Sequence, residues 1–232
     1  MNFQQPTFDS PVLAPTDTTV AQRNRVLRNT YWLLALSMVP TVLGAWFGMA
    51  TGLTRSMGPM IGLVVFLGGA FGFMFAIEKT KNSAAGVPVL LAFTFFMGVM
   101  LSRLLGTVLG QGNGTSLVMT AFAGTGAIFL GMASLSSVIK RDLSSMGKFL
   151  FIGMILLLVA GIANVFIQSS ALMITLSVLT IGIFSAFILY DLKRVQDGEE
   201  TNYISATLGV YLSLFNVFQA LLTLLGIGGK DE

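Results

Sequence analysis

Few residues in this chain are able to do chemistry. It contains no His and no Cys, which removes the imidazole base, the thiolate nucleophile, the disulfide and the usual zinc donors together. The acid most deeply set in apolar sequence is Asp191, within Tyr190-Asp191-Leu192. Burying a lone carboxylate there is costly unless it recruits a partner. The alternative is a hydrated helix-end charge beside Lys193 and Arg194. Downstream, Ser205, Gly209, Ser213, Asn216, Ala220 and Thr223 fall in a narrow arc at about 100° per residue. Oxygen ligands on that arc make Asp191, Ser213 and Asn216 the candidate gate or ion site. The same arc also suits plain helix packing, with small residues permitting close approach and Ser or Asn bonding across the interface. No phosphate-binding glycine loop, paired catalytic carboxylates or nucleophile elbow stands out. Most familiar hydrolase mechanisms therefore lose an essential part, and neither a cofactor nor a resident metal is expected.

The elements that must position these residues are set by solvent. Hydrophobic residues make up 54% of the 232-residue chain and charged residues 10%, against roughly 25% charged in a soluble domain. Mean hydropathy is +0.83, so lipid must solvate most of the surface. Apolar runs of about 20 residues, the length that crosses a bilayer, occur near 31–50, 58–77, 87–109, 117–138, 149–167, 171–190 and 204–227. Backbone groups in lipid find partners only within a helix or a closed barrel. The expectation is an all-α polytopic membrane protein, a seven-transmembrane-helix bundle over residues 29–232. Residues 1–28 hold Pro6, Pro11 and Pro15 and are predicted to form a disordered cytoplasmic tail.

Further expectations attach to single residues. Pro40 is the one proline in a run interior, where a kink is expected. Gly68 and Gly72 form a GxxxG pair, and Gly124, Gly126 and Gly131 lighten the fourth run; both predict close helix contacts. Arg103 is expected to reach the headgroups from inside the third run. On the amino-terminal side of the membrane fall Arg23, Arg25, Arg28, Lys79, Lys81, Lys140, Arg141, Lys148, Lys193 and Arg194, with Arg55, Arg103 and Lys230 on the other. That bias predicts a cytoplasmic amino terminus and, after seven crossings, an outside carboxyl terminus. A net charge of +3 without a dense basic patch argues against nucleic acid as a partner.

Several ordered motifs carry a family resemblance. Val26-Leu27-Arg28-Asn29-Thr30-Tyr31 at the first helix, Lys140-Arg141-Asp142-Leu143-Ser144 before the fifth, and Glu200-Thr201-Asn202-Tyr203-Ile204 with Tyr211-Leu212-Ser213-Leu214-Phe215-Asn216 at the last resemble the Bax inhibitor-1 family. The likeness is strongest to its YccA-like bacterial branch. It implies six helices around a seventh, no enzyme activity, a bacterial inner membrane, and a role as modulator of the membrane protease FtsH. In some members of the family it also implies a pH-sensitive calcium leak governed by two aspartates on the last two helices. Asp191 matches the first; the second falls at Ser213, which cannot ionise, so a carboxyl-dyad switch does not carry over. A hydrogen bond from Ser213 to Asp191 is the contact expected in its place. The alternative function is a passive calcium or cation leak with Asp191 at the gate.

Overall fold

A computed structural model of the protein describes residues 17–228, and their regular structure is entirely helical. The helices are α1 (Asp17–Thr51), α2 (Leu53–Ser56), α3 (Pro59–Thr80), α4 (Gly86–Leu109), α5 (Gly114–Val138), α6 (Ser144–Ile167), α7 (Ser170–Asp197) and α8 (Tyr203–Gly228). All but the one-turn α2 are long and apolar enough to cross a membrane. The protein is therefore an all-α, multi-pass membrane protein with seven spans. Helix α1 starts earlier than its apolar run, so residues 17–28 of the expected tail are helical instead. No proline interrupts Asp17 to Val39, and Arg23 gains a partner at the end of α7 that favours ordering this stretch. Residues 1–16 of the tail, and the terminal Lys230, Asp231 and Glu232, lie outside the described residues.

Helix α1 continues through Pro40 as one element. Around it, Ser37 Oγ donates to the Leu33 carbonyl at 2.7 Å and Thr41 Oγ1 to that of Ser37 at 2.8 Å. Gly52, with φ 65°, turns the chain out of α1 into α2, a conformation that costs glycine little. Thr54 and Ser102 share a hydrogen bond of 2.8 Å that fastens α2 to α4.

The core is organised around α8. Helices α1, α4, α5 and α7 pack against α8 and close a ring through neighbouring contacts, while α3 packs mainly on α4 and α6 on α7. The implied arrangement of six helices around a seventh is thus refined to an inner ring of four with two outer helices. Burial follows this order: Ile204, Val210, Val217 and Leu222 of α8 are buried, whereas α6 buries only Leu150. An outer helix gives nearly its whole circumference to lipid and can be apolar all round.

The closest approach is between α1 and α4. Gly98 backs onto the Thr41 carbonyl and Gly44 onto that of Phe95, with no room for a Cβ at either position. The expected GxxxG contact is elsewhere than predicted: Gly68 and Gly72 have nothing within 4 Å of a notional Cβ, and Gly126 and Gly131 are equally open. Beside them, Gly69, under the Phe96 ring, and Gly124, facing Leu221, do meet a neighbour. Small residues permit approach without choosing the partner, and α3 turns its Gly68–Gly72 face away from the bundle.

Candidate functional site

Asp191 lies six residues before the end of α7 and Gly209 six residues after the start of α8, so both sit about 9 Å inside the same end of the bundle at 1.5 Å per residue. The Asp191 carboxylate faces the bare α8 backbone at Gly209, where a Cβ would come within 2.8 Å of Oδ2. Neither carboxylate oxygen has a hydrogen-bond or ion-pair partner among the described residues. The nearby cations are engaged elsewhere: Lys193 pairs with Asp197 at 2.6 Å and Arg194 with Glu199 at 3.6 Å. Asp191 is thus six residues inside a helix that runs on to Asp197, rather than at the helix end.

The three candidate residues form a column, not a cluster. Ser213 is four residues beyond Gly209 along α8 and Asn216 seven, displacements of about 6 and 10 Å. Ser213 is buried, but no hydrogen bond joins it to Asp191 among the described residues. The expected Asp191 to Ser213 contact is absent because Gly209, not Ser213, stands level with the acid. Asn216 Nδ2 donates to the Leu212 carbonyl of its own helix at 2.7 Å, leaving its amide oxygen as the group available across the interface.

A second polar stripe on α8 was not singled out by sequence. Thr207 and Tyr211 lie about 160° around the helix from Gly209 and Ser213 and face α1 and α4. Tyr211 is fully buried; its hydroxyl lies 2.9 Å from Thr41 Oγ1 and 3.4 Å from the Thr94 carbonyl. Thr207 Oγ1 bonds the Tyr203 carbonyl at 2.7 Å and approaches that of Thr30 at 3.4 Å. The available signal was the i, i+4 spacing of Thr207 and Tyr211, hidden because Tyr reads as an apolar core residue.

The motifs of the first and last helices meet at this same end. Asn202 Oδ1 accepts from the backbone N–H groups of Ile204 and Ser205, at 2.9 and 3.1 Å, capping α8. Its Nδ2 donates to the Lys81 carbonyl and to Asn82 Oδ1, at 3.1 and 2.9 Å, so one amide also holds the α3–α4 link. Arg23 of α1 reaches the Gln196 carbonyl at 3.5 Å, placing a cation at the negative end of α7. Gln196 Nε2 in turn donates to Ser136 Oγ of α5 at 2.9 Å. Residues 23–230 match the family described as inhibitor of apoptosis-promoting Bax1. The chain belongs to the Bax inhibitor-1 family. Among its relatives, a membrane protein of Vibrio cholerae is 37% identical over 91% of this chain and 93% of its own. The Escherichia coli protein named modulator of FtsH protease YccA is 36% identical over 92% of this chain and 95% of its own. The same figures hold for a protein from another Escherichia coli strain named inner membrane protein YccA. Within this Bax inhibitor-1 fold, the Glu200-Thr201-Asn202-Tyr203 motif is the cap that starts the central helix, and Thr30 of the first-helix motif is its buried contact on α1.

Proposed function

We propose that this Bax inhibitor-1 protein is a non-enzymatic regulator in a bacterial inner membrane that acts on the membrane protease FtsH. The observation that carries the reading is the near full-length similarity to the Escherichia coli protein named as a modulator of that protease. The geometry is compatible with it. Ten of the described Lys and Arg side chains belong to the end where α1 begins, against Arg55 and Arg103 towards the other, and the positive-inside rule puts that richer end in the cytoplasm. The residues ahead of α1 then lie on the side where the protease has its ATPase, attached to a bundle whose ring-and-centre packing resists extraction. Deleting residues 2–16 tests this directly. The expected result is altered turnover of the protein, or altered levels of FtsH substrates, in cells carrying the deletion. Unchanged turnover together with unchanged substrate levels overturns the reading.

A second reading rests on Asp191 alone. An unpaired carboxylate inside a spanning helix, at the foot of the Gly209, Ser213 and Asn216 column, supports a passive cation or calcium leak with Asp191 at its gate. Calcium flux into proteoliposomes, wild type against Asp191→Asn, decides it. Flux abolished by the substitution supports the leak, and equal negligible flux removes it.

A further inference from the structure

Helices α1 and α3 both pack on α4, and between them an apolar groove of about 580 Å³ opens on the α4 surface. Its floor includes Ala92, Phe96 and Met100 of α4; its sides include Phe47 of α1 and Phe73 of α3, and Met57 of the α2–α3 link closes its outer end. The volume falls within the roughly 300–1,000 Å³ of clefts that enclose small ligands. The lining on α3 runs from Val65 to Phe73, and Phe73 lies about 21 Å from the start of α3 at Pro59, at 1.5 Å per residue. That reaches past the middle of a hydrocarbon layer about 30 Å thick, the path of one extended acyl chain.

The outer end of this groove carries charge of one sign. Arg55 lies in α2, beside groove-lining Leu53, and its Nη2 donates to the Gly106 carbonyl at 3.5 Å. Arg103 of α4 donates from Nη1 to the carbonyl of Met57 itself at 3.4 Å. Both guanidiniums are exposed and spend one long bond each on a neutral carbonyl. Among the described residues they have no ion-pair partner and no carboxylate lies at this end of the bundle; Asp231 and Glu232, which follow α8, lie outside those residues. Arg103 therefore does more than reach for headgroups: with Arg55 it flanks the mouth of an acyl-sized slot. Planar guanidiniums favour phosphate oxygens, and basic pockets between spanning helices suit anionic headgroups.

We infer that this groove is a binding site for one anionic phospholipid of the surrounding membrane, with its phosphate on Arg55 and Arg103 and an acyl chain lying between α1 and α3 on α4. The site is distinct from the Asp191 column, which lies towards the opposite end of the bundle, and it stands whether or not the protein acts on FtsH.

The test is competition between headgroups. The full chain is placed in nanodiscs of equimolar phosphatidylglycerol and phosphatidylethanolamine, and the lipid it retains is read by native mass spectrometry. Wild type is expected to retain phosphatidylglycerol over phosphatidylethanolamine by about fivefold or more, as one or two surface cations confer. The double change Arg55→Gln and Arg103→Gln brings the ratio to parity while a lipid is still retained, and Arg55→Lys with Arg103→Lys keeps most of the preference. Ala92→Trp, which fills the exposed floor, lowers retention of both lipids. Equal retention by wild type overturns the proposal. So does a preference that survives removal of both charges, or full retention after Ala92→Trp. Should a variant fail to elute as a single species, the wild-type ratio alone decides.

Discussion

At Asn202, two helix-terminal N–H groups and the α3–α4 link depend on one side-chain amide. Asn202→Ala is expected to lower stability by about 1–2 kcal/mol through the lost cap, with a further loss from the freed Lys81 carbonyl, measured as a fall in melting temperature in detergent. Asn202→Asp keeps the accepting oxygen and should recover most of the cap but none of the link. At Gly209 the constraint is space. A Cβ there enters contact distance of the Asp191 carboxylate, so Gly209→Ala should displace the acid; if Asp191 gates a leak, flux through Gly209→Ala proteoliposomes changes while Gly182→Ala, with open space around it, leaves flux unaltered. Asp142 illustrates a titration outside the spans. The Ser144 hydroxyl and its backbone N–H, at 2.8 Å, donate to this carboxylate and hold it below its ordinary value of 3.8. A depressed acid stabilises the fold above its unfolded value and loses that contribution as pH falls through the folded one. The turn before α6 should therefore persist below the ordinary aspartate range, and Ser144→Ala should bring the Asp142 titration, followed by NMR, back up.

At the level of elements, the glycines that matter are those with backbone behind them. Gly98→Ala forces a methyl against the Thr41 carbonyl and should destabilise the α1–α4 crossing by about 1–3 kcal/mol or more, whereas Gly68→Ala on the lipid face of α3 should be near neutral. Thermal unfolding of the pair provides the comparison, and equal effects would refute the packing assigned to α1 and α4. Tyr211→Phe removes the hydroxyl shared by α1, α4 and α8. Its expected cost is only about 0.6–1.7 kcal/mol, the range for polar contacts within a membrane bundle, since the ring still packs edge-on against Phe93 at 6.1 Å.

For the whole molecule the first question is which way it faces. The chain lacks Cys, so single cysteines report topology without background. Asn113→Cys, in the α4–α5 link, is expected to react with an impermeant maleimide added outside intact cells. Ala84→Cys, in the α3–α4 link, should react only after permeabilisation; the reverse pattern would invert the topology and move the amino-terminal segment away from the cytoplasm. The ring of α1, α4, α5 and α7 around α8 also predicts unequal protection. Backbone amides of α8 should exchange last, because it packs against all four, and those of the outer α3 and α6 earlier.

Some of this architecture was present in composition and periodicity. Seven spans, their helical nature and most of their boundaries follow from lipid excluding any unpaired backbone group, a constraint that acts on each segment separately. The polar arc of α8 was legible for the same reason, since 100° per residue is a property of one helix. Partner choice was not legible. Whether Gly68 or Gly98 meets a backbone, whether Asp191 stands level with Ser213 or Gly209, and whether Asn202 caps a helix or ties a link depend on distances between segments far apart in the chain. The amino-terminal boundary was misjudged because polar, charged residues after Asp17 read as tail until Arg23 finds the Gln196 carbonyl at the end of α7. Segment-by-segment transfer into lipid determined the elements; only their mutual packing, where a single Cβ or carbonyl decides an approach, determined which side chains face each other.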